Sequence, residues 1–415
     1  MSILSSLEIS RLRGLAHLWQ KAAHDPVNAE RAAAWLAHND GHGYRPMIVM
    51  EMDTFASDML HPKLTQPLAR ELEWLLLYGV TTAEEISDDK VLPDYLPVPM
   101  KFTIVPHNVT YETDHAIDSA GRSIGYMPQH VIHTLPEDLA AFGESVYIYQ
   151  QAETEALLSL ASDVFGDILP PRLYNASLQW AHMPMSRAVL MMGMEALYVA
   201  MMTQPDDVHH MLDLFTTETI GMLHWMEAQG HLTPNNRQQI IGAGSVGYTD
   251  ALPGDKGTGR LRARDLWGNT NAQEAVGLSP DMFAEFVMPY ASRIAEEYGM
   301  MYYGCCEGVH AVWDTLKTLP HLRKVSVSAW CDERLMGEYL QGSGVIYSRK
   351  PSPNYIGAEQ VFDEDAFRKH IDHTVTCAQG VGLEIIFRDV YTLMGERGRA
   401  GRAVAIARAA CEAWR

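Results

Sequence analysis

The feature that most constrains this chain is a regular alternation, through its second half, of short apolar runs and amphipathic stretches. Candidate strands at 264–267, Met300–Tyr303, 324–330, 345–348 and 383–390 alternate with helical patterns at 282–298, 309–319, Glu333–Leu340 and 364–378, and a last helix at 402–414. Strands separated by whole helices pair as parallel neighbours, because a parallel pair needs a long crossover. So many in succession predict a (β/α)8 barrel rather than an open sheet. Ser279-Pro280-Asp281 opens the helix at 282–298, with Ser suited to the cap and Pro to the first turn, and Gly299 closes it.

The first half is less regular. It offers strands at 45–53, 100–105 and 173–180, then long helices at 186–203 and 206–229. A helical segment over 1–44 is expected to pack on the barrel, and 45–415 to form a single barrel domain. The mixed stretch around 54–170 has no clear period and reads as insertions over the C-terminal face, where lids come from.

With 47% hydrophobic residues the chain can bury a large core. Its 32 basic against 52 acidic residues give a net charge of −20. That charge repels phosphate backbones and anionic lipid, so neither nucleic acid nor a membrane surface is expected as a partner. The longest apolar stretch, 188–202, contains Glu195 and reads as a buried helix. Five cysteines, two of them adjacent, do not form a disulfide framework. With no signal peptide evident, the expected compartment is the cytoplasm.

A barrel of this kind reacts at the C-terminal ends of its strands. One strand ends in Gly304-Cys305-Cys306-Glu307 with His310 beyond it, another in Trp330-Cys331-Asp332, another in Ser348-Arg349-Lys350, and the last in Arg388-Asp389. The strand near 265 brings Asp265, Trp267, Asn269, Asn271 and Gln273. Adjacent thiols beside a carboxylate and an imidazole suit zinc or another divalent transition metal, so Cys305, Cys306, Glu307 and His310 are the candidate ligands. The plainer alternative is that the cysteines are small buried side chains. Asp265, Asp389, Arg388 and Lys350 are the candidate catalytic groups, and Trp267, Asn271, Tyr303 and Arg349 the candidate substrate contacts. Gly242, Gly244 and Gly247 satisfy G-x-G-x-x-G, but no helix follows to hold a pyrophosphate. A close backbone approach in a loop is the better reading.

Several stretches resemble the uroporphyrinogen decarboxylase superfamily over roughly residues 170 to 410. They are 174–180, Gln204-Pro205-Asp206-Asp207-Val208-His209, Asp265-Leu266-Trp267-Gly268, Leu278-Ser279-Pro280-Asp281-Met282-Phe283 and Pro289-Tyr290. Tyr303-Gly304-Cys305-Cys306-Glu307, Arg323-Lys324-Val325-Ser326, Arg349-Lys350-Pro351-Ser352-Pro353 and Arg388-Asp389 look like a poorly characterised bacterial branch. The resemblance implies a (β/α)8 barrel and either decarboxylation or methyl transfer serving corrinoid proteins. The segment 45–53 lacks the arginine-rich motif that grips porphyrinogen carboxylates, so porphyrinogen is not the expected substrate. The related methyltransferases hold zinc with a His-x-Cys and a later Cys. Here only Cys306 matches; Gly304 stands at the histidine position and Asp389 replaces the last thiol. The expectation is therefore a metal-dependent methyltransferase that moves a methyl group from a small substrate to a corrinoid or to a thiol or folate acceptor, with cobalamin carried by a partner corrinoid protein and a homodimer as the implied assembly. The rivals are a metal-free decarboxylase or lyase for a small carboxylated substrate, and a non-catalytic corrinoid- or tetrapyrrole-binding module.

Overall fold

A computed structural model describes residues 4–117, 123–180, 182–253 and 259–414. Small parts of the expected N-terminal segment, of the insertion and of the Pro/Gly-rich loop after Asp250 therefore lie outside the described residues. The strands in chain order are β1 (Met47–Met50), β2 (Leu96–Pro99), β3 (Phe102–Val105), β4 (Thr113–Ile117), β5 (Ser123–Pro128), β6 (Val146–Tyr149), β7 (Pro171–Tyr174), β8 (Trp267–Thr270), β9 (Met300–Tyr303), β10 (Leu322–Val327), β11 (Ile346–Arg349) and β12 (Leu383–Phe387).

Six of them form one parallel sheet in the order β1-β12-β11-β10-β9-β8. The strands β1, β8, β11 and β12 are buried at every position, as a sheet covered by helices on its outer face and filled within must be. A second parallel pair, β2 with β7, stands apart, and β3–β6 and β4–β5 are antiparallel. The architecture is thus α/β with eight parallel strands in two sheets, and no ladder closes them into a ring among the described residues.

The sequence of β2 explains one of the two gaps. It reads Leu-Pro-Val-Pro, and alternate N–H groups of a strand point to opposite neighbours. Leu96 donates to Pro170 and Met100 to Tyr174, on the β7 side. Pro97 and Pro99 have no N–H to offer on the other side, the side a closed ring would give to β1.

The chain before β1 forms two helices, Ser6–Ala23 and Pro26–Asn39. Ser5 and Glu8 close the first with a capping box, and Asp25 caps the second. Leu12, Leu15 and Trp19 of the first pack with Leu72 and Leu76 of the helix Pro67–Thr81, Leu96 and Val98 of β2, and Leu157 of the helix Gln151–Phe165. Trp35 of the second packs on Met47 and Val49 of β1.

Two expected helices are each broken in two. That at 186–203 becomes Pro184–Met192 and Met194–Thr203, bent by 105° at Gly193, whose φ of 90° lies outside the helical range. That at 282–298 becomes Pro280–Phe286 and Met288–Glu296, because Pro289 cannot extend the preceding turn. No single described helix is long and apolar enough to cross a membrane.

The glycine-rich segment closes a tight loop with one bridge, Ile240 to Val246. It inserts among the strands. A Cβ on Gly242 would lie 2.5 Å from the Tyr302 ring, and one on Gly247 would lie 1.9 Å from the Asn235 carbonyl oxygen. Deeper along the same strands, Lys324 meets Ser245 at 2.7 Å and Glu384 at 2.8 Å, all three fully buried.

Candidate functional site

The ends of β9, β12 and β1 bring five side chains together. Ser326 donates to the Cys305 carbonyl at 2.6 Å, and the Cys305 N–H donates to Glu307 Oε2 at 2.8 Å, fixing the chain that carries the two thiols. Cys305 Sγ lies 3.5 Å from Cys306 Sγ and 3.6 Å from Arg388 Nη1. Cys306 Sγ is 3.6 Å from Asp389 Oδ2. Arg388 Nε is 3.2 Å from Glu51 Oε2 and 3.6 Å from Asp389 Oδ2. Asp389 holds a left-handed backbone at φ 58°, the kind of strain that collects at functional sites.

This arrangement polarises the thiol pair. The Cys306 S–H, donated to Cys305, and then the nearby Arg388 charge pull Cys305 below the usual thiol range. The shared proton, then burial, push Cys306 above it. Burial works against the Arg388 charge, but Glu51, Cys305 and Asp389 together hold the guanidinium protonated. Burial raises the Glu51 carboxyl.

Behind the pair, one residue past β11 and on the side of Ser348, Lys350 Nζ lies 2.6 Å from both Tyr302 OH and Ser348 Oγ. Burial lowers its pKa to about 7, and Arg388 acts in the same direction. On the other side of Arg388 opens a cavity of about 500 Å³. It fills the seam between the two parallel sheets, with apolar walls from Trp19, Trp74, Tyr78 and Tyr174 and a polar end at Glu51, Asp53, Asn269 and Arg388. Arg388 therefore has one edge on the thiols and another on the cavity.

No family model matches this chain, and no curated protein matches it. Among solved structures, a methyltransferase from Methanosarcina mazei resembles it with a TM-score of 0.51 at 12% sequence identity. The likeness spans 91% of this chain and 98% of that one, and it is a likeness of fold.

The twelve residues singled out from the sequence divide sharply. Cys305, Cys306, Arg388 and Asp389 come together, with Lys350 behind them. Glu307 and His310 do not join the thiols. Glu307 Oε1 accepts the Ala272 N–H at 3.1 Å while Oε2 takes that of Cys305, and His310 Nδ1 accepts the Asp332 N–H at 3.4 Å. Among the described residues no group of three or more His, Cys, Asp or Glu converges to hold a metal ion. The described donors, as arranged, do not fit a zinc site.

Arg349 lies on the opposite face of β11 from Lys350, where its guanidinium donates to Glu333 and to the Val327 carbonyl at 3.2 Å. Tyr303 likewise turns into the helix-facing core, while Tyr302 takes the inward position. Asp265 sits before the start of β8, at the far end from the thiols, and accepts the Arg262 N–H at 2.9 Å. Trp267, at that same end, donates to the Gly247 carbonyl at 2.9 Å and lines the cavity. Asn271 is buried and donates to Met183 Sδ at 3.2 Å.

Sequence reasoning passed over Glu51, Tyr302 and Ser348. Glu51 follows β1 directly, so its place at a strand's C-terminal end was a readable signal. Ser348 was readable too, since it shares a face with Lys350 two residues on.

Proposed function

We propose that this chain is an enzyme that transfers a methyl group to or from a small molecule that enters by the seam cavity and reaches past Arg388 to Cys305, the reacting nucleophile. The observation that carries the reading is the polarised thiol pair touching the same Arg388 that ends the cavity. The fold it shares with a methyltransferase supports the reaction class. The thiolate attacks the methyl carbon in line; the S–CH3 bond forms as the donor bond breaks, and the leaving atom takes the bonding pair. Arg388 holds the sulfur anionic until the donor arrives and orients an anionic group of the substrate. Lys350, titrating near neutrality, sets how much positive charge stands behind the sulfur.

A corrinoid borne by a partner protein is the first methyl source to test. Incubation with methylcobalamin, and separately with methylated amines and ethers, should add one methyl to the peptide bearing Cys305 and Cys306, read by mass spectrometry. Cys305→Ala should abolish the addition and lower turnover by at least about tenfold, a loss of roughly 1.4 kcal/mol or more in transition-state stabilisation. Unchanged turnover in Cys305→Ala would refute the reading.

One observation favours a second reading. Arg388, partly buried, lines the cavity and Lys350 lies buried behind it, a pair of basic groups that suits a carboxylate and a metal-free lyase. That reading expects activity to survive Cys305→Ala and to fail in Arg388→Ala.

A further inference from the structure

We propose that Cys305 and Cys306 are also a reversible two-electron redox couple, oxidised by small disulfides through thiol–disulfide exchange. All five cysteines are free, and the sulfurs of these two are 3.5 Å apart. Rotation of the two side chains brings the sulfurs toward the roughly 2.05 Å of a covalent S–S bond, and the peptide between them distorts to complete the ring. The Cys305 backbone is tied to its surroundings by Ser326 and Glu307.

Access differs between the two. Cys305 is 5% exposed, whereas Cys306 is only partly buried and is the sulfur that a reagent from solvent meets first. In the first step Cys306 passes its proton to the Cys305 sulfur, 3.5 Å away, and attacks one sulfur of the disulfide. That bond breaks, and the departing thiolate takes a proton from solvent. Cys305 then attacks Cys306 Sγ, forms the intramolecular bond and expels the second thiolate, which takes the proton that Cys305 had accepted. The two cysteines lose two electrons; the external disulfide gains them and leaves as two thiols.

The product is a switch rather than a staple. Adjacent Cα atoms are about 3.8 Å apart, whereas disulfides usually bridge about 4.4–6.8 Å. The closed ring is strained and so easily reduced, the property of labile disulfides rather than structural ones. Closing it also consumes the Cys305 thiolate, which silences any nucleophilic role of Cys305. The proposal does not depend on methyl transfer, because its readout is the thiols themselves.

The test uses the intact protein, incubated with excess glutathione disulfide and then alkylated under denaturing conditions. The expected result is loss of two alkylatable thiols, with Cys331, Cys377 and Cys411 still modified. The peptide bearing Cys305 and Cys306 should be lighter by two hydrogens, and dithiothreitol should restore it. Cys305→Ser should instead trap glutathione on Cys306. The proposal is overturned if all the thiols stay alkylatable, if the peptide carries two glutathiones, or if the new bond joins other cysteines or two copies of the chain. These readings hold on the wild-type protein alone should the variant not fold.

Discussion

Lys350 keeps its ammonium nitrogen against two hydroxyls in a space water does not reach, and burial brings its pKa from 10.5 to about 7. The sign of the resulting pH effect is definite. Below about pH 7 native and unfolded chains both hold the proton; between there and 10.5 only the unfolded chain does. Unfolding takes up a proton in that window, so the contribution of this residue to stability rises with pH across it. Urea titrations of wild type and Lys350→Met should show the wild type gaining on the variant from about pH 7 upward. A pH-independent difference would mean the lysine is not desolvated. The Lys324–Glu384 pair, with both side chains fully buried, behaves differently. Glu384→Leu alone strands a buried ammonium and should cost about 3–5 kcal/mol. The double change Lys324→Met with Glu384→Leu should recover most of that in thermal melts.

At the scale of elements, strands with strong apolar runs and helices with clear caps were legible. Met300–Tyr303 and Glu333–Leu340 match their expected bounds. The paired prolines hid β2, because such a run reads as a turn unless a one-sided partner is known. The expected strand at 100–105 exists as β3 but pairs antiparallel with β6, outside the parallel set. Within the site, the residue types at strand ends were readable, and strand alternation could have separated Lys350 from Arg349 and Tyr302 from Tyr303. The roles of Glu307 and His310 were not readable, since both accept backbone N–H groups from loops whose paths the sequence does not specify. Helix packing carries its own prediction. A Cβ on Gly337, in the helix Glu333–Leu340, would sit 1.9 Å from the Cys377 carbonyl oxygen of the helix Glu364–Cys377. Gly337→Ala should therefore destabilise by about 2 kcal/mol or more despite its better helix propensity. Gly221→Ala, in the helix Pro205–Gln229 with nothing within 4 Å, should stabilise by up to about 1 kcal/mol.

For the molecule as a whole, the two parallel sheets are held together by side chains around a cavity rather than by a continuous ladder. Native-state hydrogen exchange should find the amides of β9 to β12 the slowest and those of β2 and β7 measurably faster, because the smaller sheet is paired on one side only. Equal protection would mean the seam opens only with global unfolding. The pairing of β1 with β12, Met47 against Glu384, also sets an order of events in time. β1 leaves the ribosome long before β12, the last of the twelve strands in chain order, and its four apolar residues spend that whole interval without a partner edge. The nascent chain thus carries a sticky segment that only its own completion can cover, and truncation before β12 turns a folding problem into an aggregation one.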